Sequence, residues 1–156
     1  MKGNEKVLAQ LNYFLADELT AISQYMVHSE MCANWGYQHL HKAIEKRAID
    51  EMKHAEKLIG RILFLEGKPV VSELNQIHIG ETVDAQLQND LEAEAGAIKS
   101  YNEAIRLCLE LGDGGSRELI EANLHDEEDH LDWLEAQLDQ INQMGLQNYL
   151  QAQISE

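Results

Sequence analysis

Six residues of this 156-residue chain have the types and the spacing for metal chemistry. Glu18 and Glu51 stand 33 positions apart, and so do Glu94 and Glu127. Glu51 is followed three residues on by His54, Glu127 by His130, and the whole set maps onto itself at an offset of 76 positions. Residues three apart on a helix lie about 60° apart around its axis, so a Glu-x-x-His pair can aim both side chains at one point. Four ionised carboxylates in an apolar seam would each cost several kcal/mol without a counter-charge. Together they rival a typical domain stability of about 5–15 kcal/mol. No core position supplies Lys or Arg, whereas two divalent cations balance four carboxylates. Mixed imidazole and carboxylate donors suit iron, manganese or zinc, since calcium and magnesium favour all-oxygen shells.

The elements that must position these side chains are long helices. Glycine and the single proline leave uninterrupted stretches from about Glu5 to Trp35, Gln38 to Leu65 and Thr82 to Leu111. A fourth begins at Ser116, a plausible N-cap, and runs to about Met144, and a short tail from Leu146 to Ile154 allows one more brief helix. Heptad rows run through all four long segments: Leu11, Glu18, Tyr25; Ile44, Glu51, Leu58, Leu65; Leu87, Glu94, Tyr101, Cys108; Ile120, Glu127, Leu134, Ile141. Each has a companion row such as Leu8, Leu15, Ile22, so each helix presents an apolar seam in which one glutamate stands where a leucine belongs. The first two and last two helices are joined by short breaks, which makes antiparallel hairpins. Between the hairpins lies Glu66 to Glu81, long enough to run the length of a bundle, with Val70, Val71, Leu74, Ile77 and Ile79 expected to pack along its outside. The expectation is an all-α four-helix bundle with one long crossover and a short fifth C-terminal helix, forming a single domain over residues 1–156.

Composition narrows the function. Twelve Lys and Arg against 28 Asp and Glu leave a formal charge of −16, which argues against a nucleic-acid partner and suits a protein that handles cations. Hydrophobic residues make up 44% of the chain, enough to fill a core. No apolar run approaches the roughly 18–20 residues of a membrane span, and no apolar signal segment follows Met1, so a cytoplasmic location is expected. Cys32 and Cys108 form no CxxC pair and are read as small buried side chains. His28, His39, His41, His78 and His125 have no histidine at the 76-residue offset and are read as surface or helix-end residues. Trp133 is read as packing.

Met52 lies beside Glu51 on a different face, in a second apolar stripe with Ile49, Ile59 and Leu63. A helix with two apolar faces buries the second against something else, most simply the same helix of another subunit across a two-fold axis. Met52 then serves either as adaptable interface filler or, through its thioether, as a haem ligand shared between two chains.

The chain resembles the bacterioferritins from end to end. The resemblance is carried by Met1-Lys2-Gly3, by Asp17 to Tyr25 (DELTAISQY), by Ile49 to Glu56 (IDEMKHAE) and by Arg61 to Gly67 (RILFLEG). Further segments are Asp90 to Glu94 (DLEAE), Asp126 to Glu135 (DEEDHLDWLE) and Gly145 to Leu150 (GLQNYL). A Glu on each of two helices with Glu-x-x-His on each of the other two matches the constellation known for ferritin-like di-iron carboxylate proteins. The resemblance implies iron storage by a ferroxidase. Fe(II) would bind at an intrasubunit dinuclear centre, O₂ or peroxide would take the electrons, and Fe(III) mineral would collect inside a 24-subunit shell of two-fold dimers. It makes Glu18 and Glu94 terminal ligands, Glu51 and Glu127 bridges, and His54 and His130 ligands of one iron each, two iron ions per subunit. It makes Met52 the axial ligand of haem b, one haem per subunit pair.

Tyr25 corresponds to the family's tyrosine beside the centre, with a role as electron or hydrogen-bond donor or simply as a core aromatic. Asp50 belongs in some members to an inner-surface iron site. Lys46-Arg47 replaces the histidine and glutamate of that site here, which leaves only Asp50. The resemblance further implies a ferredoxin-type reductant for iron release and allows a paralogous subunit in the shell, with no nucleic-acid or membrane partner. Competing readings fit less well: a rubrerythrin-like peroxidase would normally carry CxxC pairs, a manganese catalase needs no haem site, and a DNA-protecting mini-ferritin builds its site between subunits.

Overall fold

A computed structural model describes residues 1–155 of the chain. Helix α1 spans Glu5–Trp35, α2 Gln38–Phe64, α3 Val83–Glu110, α4 Gly114–Met144 and α5 Leu146–Ala152, with no strand among the described residues. Helix α1 packs on α2 and α3 on α4 as two antiparallel hairpins, joined by residues 65–82. Local chemistry sets the ends. Asn4 accepts from the Lys6 N–H to cap α1, and Thr82 accepts from the Ala85 N–H to cap α3. Gly36 closes α1 in the left-handed region at φ 87°, where a side chain would be strained.

The start of α4 differs from the sequence expectation. Its cap is Asp113, not Ser116: Asp113 accepts from the Ser116 N–H at 3.0 Å and from the Ser116 hydroxyl at 2.7 Å, so Ser116 lies inside the first turn. Arg61, near the end of α2, donates to Asp113 at 2.8 Å and to the Ser116 hydroxyl at 2.9 Å, which ties α2 to the start of α4. A Cβ at Gly115 would lie 2.7 Å from the Arg61 guanidinium, so a larger residue there would have to push that side chain aside. Burial works to raise the Asp113 carboxyl pKa, but the bonds from Ser116 and Arg61 outweigh it and hold it below the usual range. Asp113→Ala is expected to cost about 2 kcal/mol in urea unfolding, through loss of the cap and the stranding of Arg61.

The crossover also departs from expectation. Val70 and Ile77 are half-buried, but Val71, Leu74 and Ile79 are exposed. A polar ladder along α1 holds the segment in their place. Asn12 accepts from the Val70 N–H and donates to the Lys68 carbonyl, Thr20 accepts from the Asn75 N–H, and Gln24 accepts from the His78 N–H. The last rung is His28, whose Nε2 accepts from the Gly80 N–H at 3.0 Å while its Nδ1 donates to Asp90 at 2.9 Å. His28 is therefore fully buried, contrary to the surface position expected for it. His39, His78 and His125 are exposed and His41 is half-buried.

The core divides in two. One apolar cluster holds Leu11, Phe14, Leu15, Leu58, Ile62, Tyr101, Cys108 and Ile120. The other holds Tyr25, Cys32, Leu40, Ile44, Leu87, Leu134 and Tyr149, the last carried in by α5. Both cysteines are buried, and Trp133 packs against the second cluster. Because the glutamate interrupts each heptad row at its middle, the four acids fall in the layer between the two clusters.

Candidate metal centre

Each long helix delivers one glutamate to that layer, and α2 and α4 add a histidine one turn on. All six side chains are buried, at 1–3% exposure. Their ligand atoms form two groups, one of Glu18, Glu51, His54 and Glu127, the other of Glu51, Glu94, Glu127 and His130, with the atoms of each group within 4.8 Å of one another. Glu51 and Glu127 belong to both. Each histidine turns Nδ1 inward: His54 Nδ1 is 3.0 Å from Glu127 and 3.4 Å from Glu51, and His130 Nδ1 is 3.0 Å from Glu51 and 3.5 Å from Glu94.

The opposite ring nitrogens face two carboxylates at the same 76-residue offset. His54 Nε2 donates to Asp126 at 2.8 Å, and His130 Nε2 lies 3.5 Å from Asp50. A carboxylate behind a histidine fixes its tautomer and raises its basicity as a ligand. Asp50 is also within 3.5 Å of Lys46 and 3.7 Å of Arg47, so these cations offset its charge. Two phenols complete the layer: Tyr25 on α1 donates to Glu94 on α3, and Tyr101 on α3 donates to Glu18 on α1. Sequence reasoning placed Tyr25 near the site but missed the functional positions of Tyr101 and Asp126. The signal for both was the 76-residue repeat, extended beyond the histidines.

Electrostatics show how poorly this layer tolerates its own charge. Burial, then the neighbouring carboxylates Glu18, Glu127 and Glu94, push Glu51 well above the usual glutamate range. Burial and the proximity of Glu94 do the same to Glu127. Glu94 goes the other way: burial would raise it, but hydrogen bonds from Glu127, His130 and Tyr25 favour its ionised form and win. Burial opposes a charge on His54, yet Glu127, Glu18 and Asp126 lift its pKa to about 11. Burial and the adjacent carboxylates drive Tyr25 and Tyr101 well above 10, so both remain hydrogen-bond donors. Several polar atoms here still lack a hydrogen bond of good geometry, among them Glu18 Oε2, Glu94 Oε2 and, despite its 3.0 Å approach to Glu51, His130 Nδ1. Orphaned buried atoms on inward-facing acids and imidazoles fit cations, which would satisfy them and replace the protons.

A cleft of about 290 Å³ leads to this layer between α1 and α3. Glu18, Glu51, Glu94 and Glu127 line it, with Asp17 and Glu92 and the crossover residues Asn75 and His78 around them. Burial, with Glu18 adding to it and Asn75 opposing, raises Asp17 to about 6. Met52 stands on the opposite, outward face of α2, 45% exposed, with Ile49 and Leu63 exposed on the same stripe.

The ferritin-like domain family matches residues 8–144. A bacterial ferritin of Synechocystis sp. is 47% identical over 156 residues, covering 99% of this chain and all of that protein. Bacterioferritins of Rhodobacter capsulatus and Brucella melitensis are 44% and 42% identical over 149 residues, covering 96% of this chain and 92% of each relative. The chain belongs to the bacterioferritin family. Its buried acid and histidine layer is thus a candidate metal centre inside a ferritin-like bundle, and no helix among the described residues is long and apolar enough to cross a membrane.

Proposed function

We propose that this chain stores iron and is a ferroxidase: it takes Fe(II) at the buried layer, oxidises it with O₂ or peroxide, and passes Fe(III) to a mineral inside a 24-subunit shell. The observation that carries this reading is the pair of four-residue groups sharing Glu51 and Glu127. In it Glu51 and Glu127 bridge the two iron positions, Glu18 and Glu94 are terminal ligands, and His54 and His130 each complete one position through Nδ1. Four carboxylates against two Fe(II) leave the pocket neutral. Asp126 and Asp50 hold the imidazoles in register, and the acidic cleft draws cations toward the layer.

The α2 stripe fits a two-fold partner. Ile49, Met52 and Leu63 are too exposed to serve this chain's own core, and Gly60 has open space where a side chain would stand. Met52 and the same methionine of a second copy would hold haem b between them, one per pair. The bound haem would supply a one-electron relay through the shell wall for iron release, fed by a ferredoxin-type reductant in the cytoplasm.

An absorption spectrum tests both parts. The purified protein should show a low-spin haem Soret band, and anaerobic Fe(II) followed by air should give a fast rise in ferric absorbance. Iron oxidation without a haem band would make Met52 interface filler, and the absence of both signals in folded, haem-supplied protein would overturn the reading. Met52→Leu should keep the helical circular-dichroism signal and purify without the Soret band; haem retained in that variant would sink the axial-ligand assignment.

A further inference from the structure

Tyr25 and Tyr101 stand 76 positions apart, the offset that relates Glu18 to Glu94. Their bonds are reciprocal: each phenol leaves its own helix and donates to the Oε1 of the glutamate on the other helix of the α1–α3 pair. In both glutamates the second oxygen, Oε2, is buried without a partner. The Tyr101 ring is 1% exposed and stacks on Phe14 with centroids 4.3 Å apart, inside the first apolar cluster. Phenylalanine would satisfy every apolar contact of that ring. A hydroxyl buried there without a partner would be costly, so its presence is accounted for by the bond to Glu18.

We propose that Tyr101 is a positioning residue of the metal centre, holding Glu18 as Tyr25 holds Glu94. The inference rests on the di-metal reading above. The phenol pins Oε1, the oxygen that also faces the inward histidine nitrogen, while Oε2 makes no hydrogen bond, so the bond fixes the orientation of the carboxylate and with it how many oxygens a cation meets. With a phenol on each terminal glutamate, both metal positions present one terminal oxygen in the same way. Without the Tyr101 hydroxyl, Glu18 is free to rotate and chelate through both oxygens, and the two positions become unequal.

Anaerobic titration of the metal-free protein with Co(II) reads this directly, because the visible absorption of Co(II) weakens as its coordination number rises. The wild-type protein should take up two equivalents per chain. Tyr101→Phe should weaken one of them about 10-fold, the scale of a lost hydrogen bond to a charged group, and lower that equivalent's absorptivity. Tyr25→Phe should do the same to the other equivalent, and the double variant to both. In a Glu18→Ala background, which removes the acceptor, Tyr101→Phe should change nothing further, and thermal melts should confirm that both single variants stay folded.

A Tyr101→Phe protein that titrates like the wild type in stoichiometry, affinity and band intensity would reduce the hydroxyl to a core feature. A band change that persists in the Glu18→Ala background would show Tyr101 acting on something other than Glu18. Either result overturns the proposal and leaves the di-metal reading standing. Wild-type protein that binds no Co(II) would instead remove the di-metal reading, and this proposal with it.

Discussion

Leucine at Glu127 should empty both metal positions, reduce Fe(II) oxidation to the uncatalysed rate, and leave the metal-free protein at least as stable as before. Glu127 contributes to both four-residue groups, so its loss deprives each of them of a carboxylate at once. Removing a residue that only supports a metal ligand already costs about 10–100-fold in affinity or activity, and a ligand shared by two positions should cost more than about 100-fold. Stability moves the other way. Glu127 is 2% exposed, and burial with Glu94 beside it resists its ionisation, so the metal-free fold bears a strained acid there. Replacing a buried ionisable group by an apolar one of similar volume is often neutral or stabilising. Zinc stoichiometry, stopped-flow ferric absorbance and urea unfolding of stripped protein check the three parts. Glu18→Ala is the control, because Glu18 belongs to one group only and its loss should leave one equivalent bound. Two tightly bound equivalents in Glu127→Leu would refute the bridging role.

The positions of the six acids and histidines were legible because two periodicities coincide in them. The heptad brings each glutamate to a core face, and the 76-residue offset pairs the two hairpins, so a local pattern reports a tertiary site. Helix ends set by glycine were legible for the same local reason: α1 runs from Glu5 to Trp35 as its breakers predict. The residues that escaped are those whose role is defined from another helix. Asp126 is one of 28 acids in the chain, marked in the sequence only by its 76-residue offset from Asp50, and the imidazole of His54, 72 positions away, is what gives it a role. Tyr101 reads as an ordinary core aromatic until Glu18, 83 positions away, accepts its hydrogen bond. His28 has alanine at the 76-residue offset, so the repeat is silent about it. The crossover buries it by bringing the Gly80 N–H to its ring.

The crossover carries the same lesson with the opposite sign. Its valines and leucine suggest apolar docking, but α1 offers Asn12, Thr20, Gln24 and His28 along that line, and unpaired backbone groups of the strap are satisfied there. With its backbone held on one side, the strap turns Val71 and Leu74 outward. Composition alone cannot separate these outcomes, because both use the same residues and differ only in which face meets the bundle.

Stripped of metal, the protein should become less stable as pH rises from about 5 to 9, and added Zn(II) should oppose that trend. Glu51 and Glu127 have pKa values raised well above the ordinary 4.5 in the folded state. The folded chain therefore binds protons there that the unfolded chain has released. A raised group stabilises fully below its unfolded pKa and loses that contribution as pH climbs through its folded one. His54 acts in the same sense, its stabilisation complete below about 6.5 and lost on the way to about 11. Glu94 and Asp126, whose values are lowered, contribute above their ordinary carboxylate range and lose that contribution toward acid, so they limit any gain below about pH 4.

Each proton held only by the folded state gives a slope of up to about 1.4 kcal/mol per pH unit, and here several groups act together. Zn(II), which has no redox chemistry, competes with those same protons. Its binding should tighten with pH and add about 4 kcal/mol per position at a free concentration 1,000 times its Kd. Calorimetric melts at about pH 5, 7 and 9, after chelation and after two equivalents of Zn(II), should therefore diverge as pH rises. A chelated protein whose melting point ignores pH, or a zinc increment of equal size at all three values, would mean that the four carboxylates are already ionised against some other positive charge. The absence of a Lys or Arg from the core among the described residues is the premise on which the two-cation reading stands.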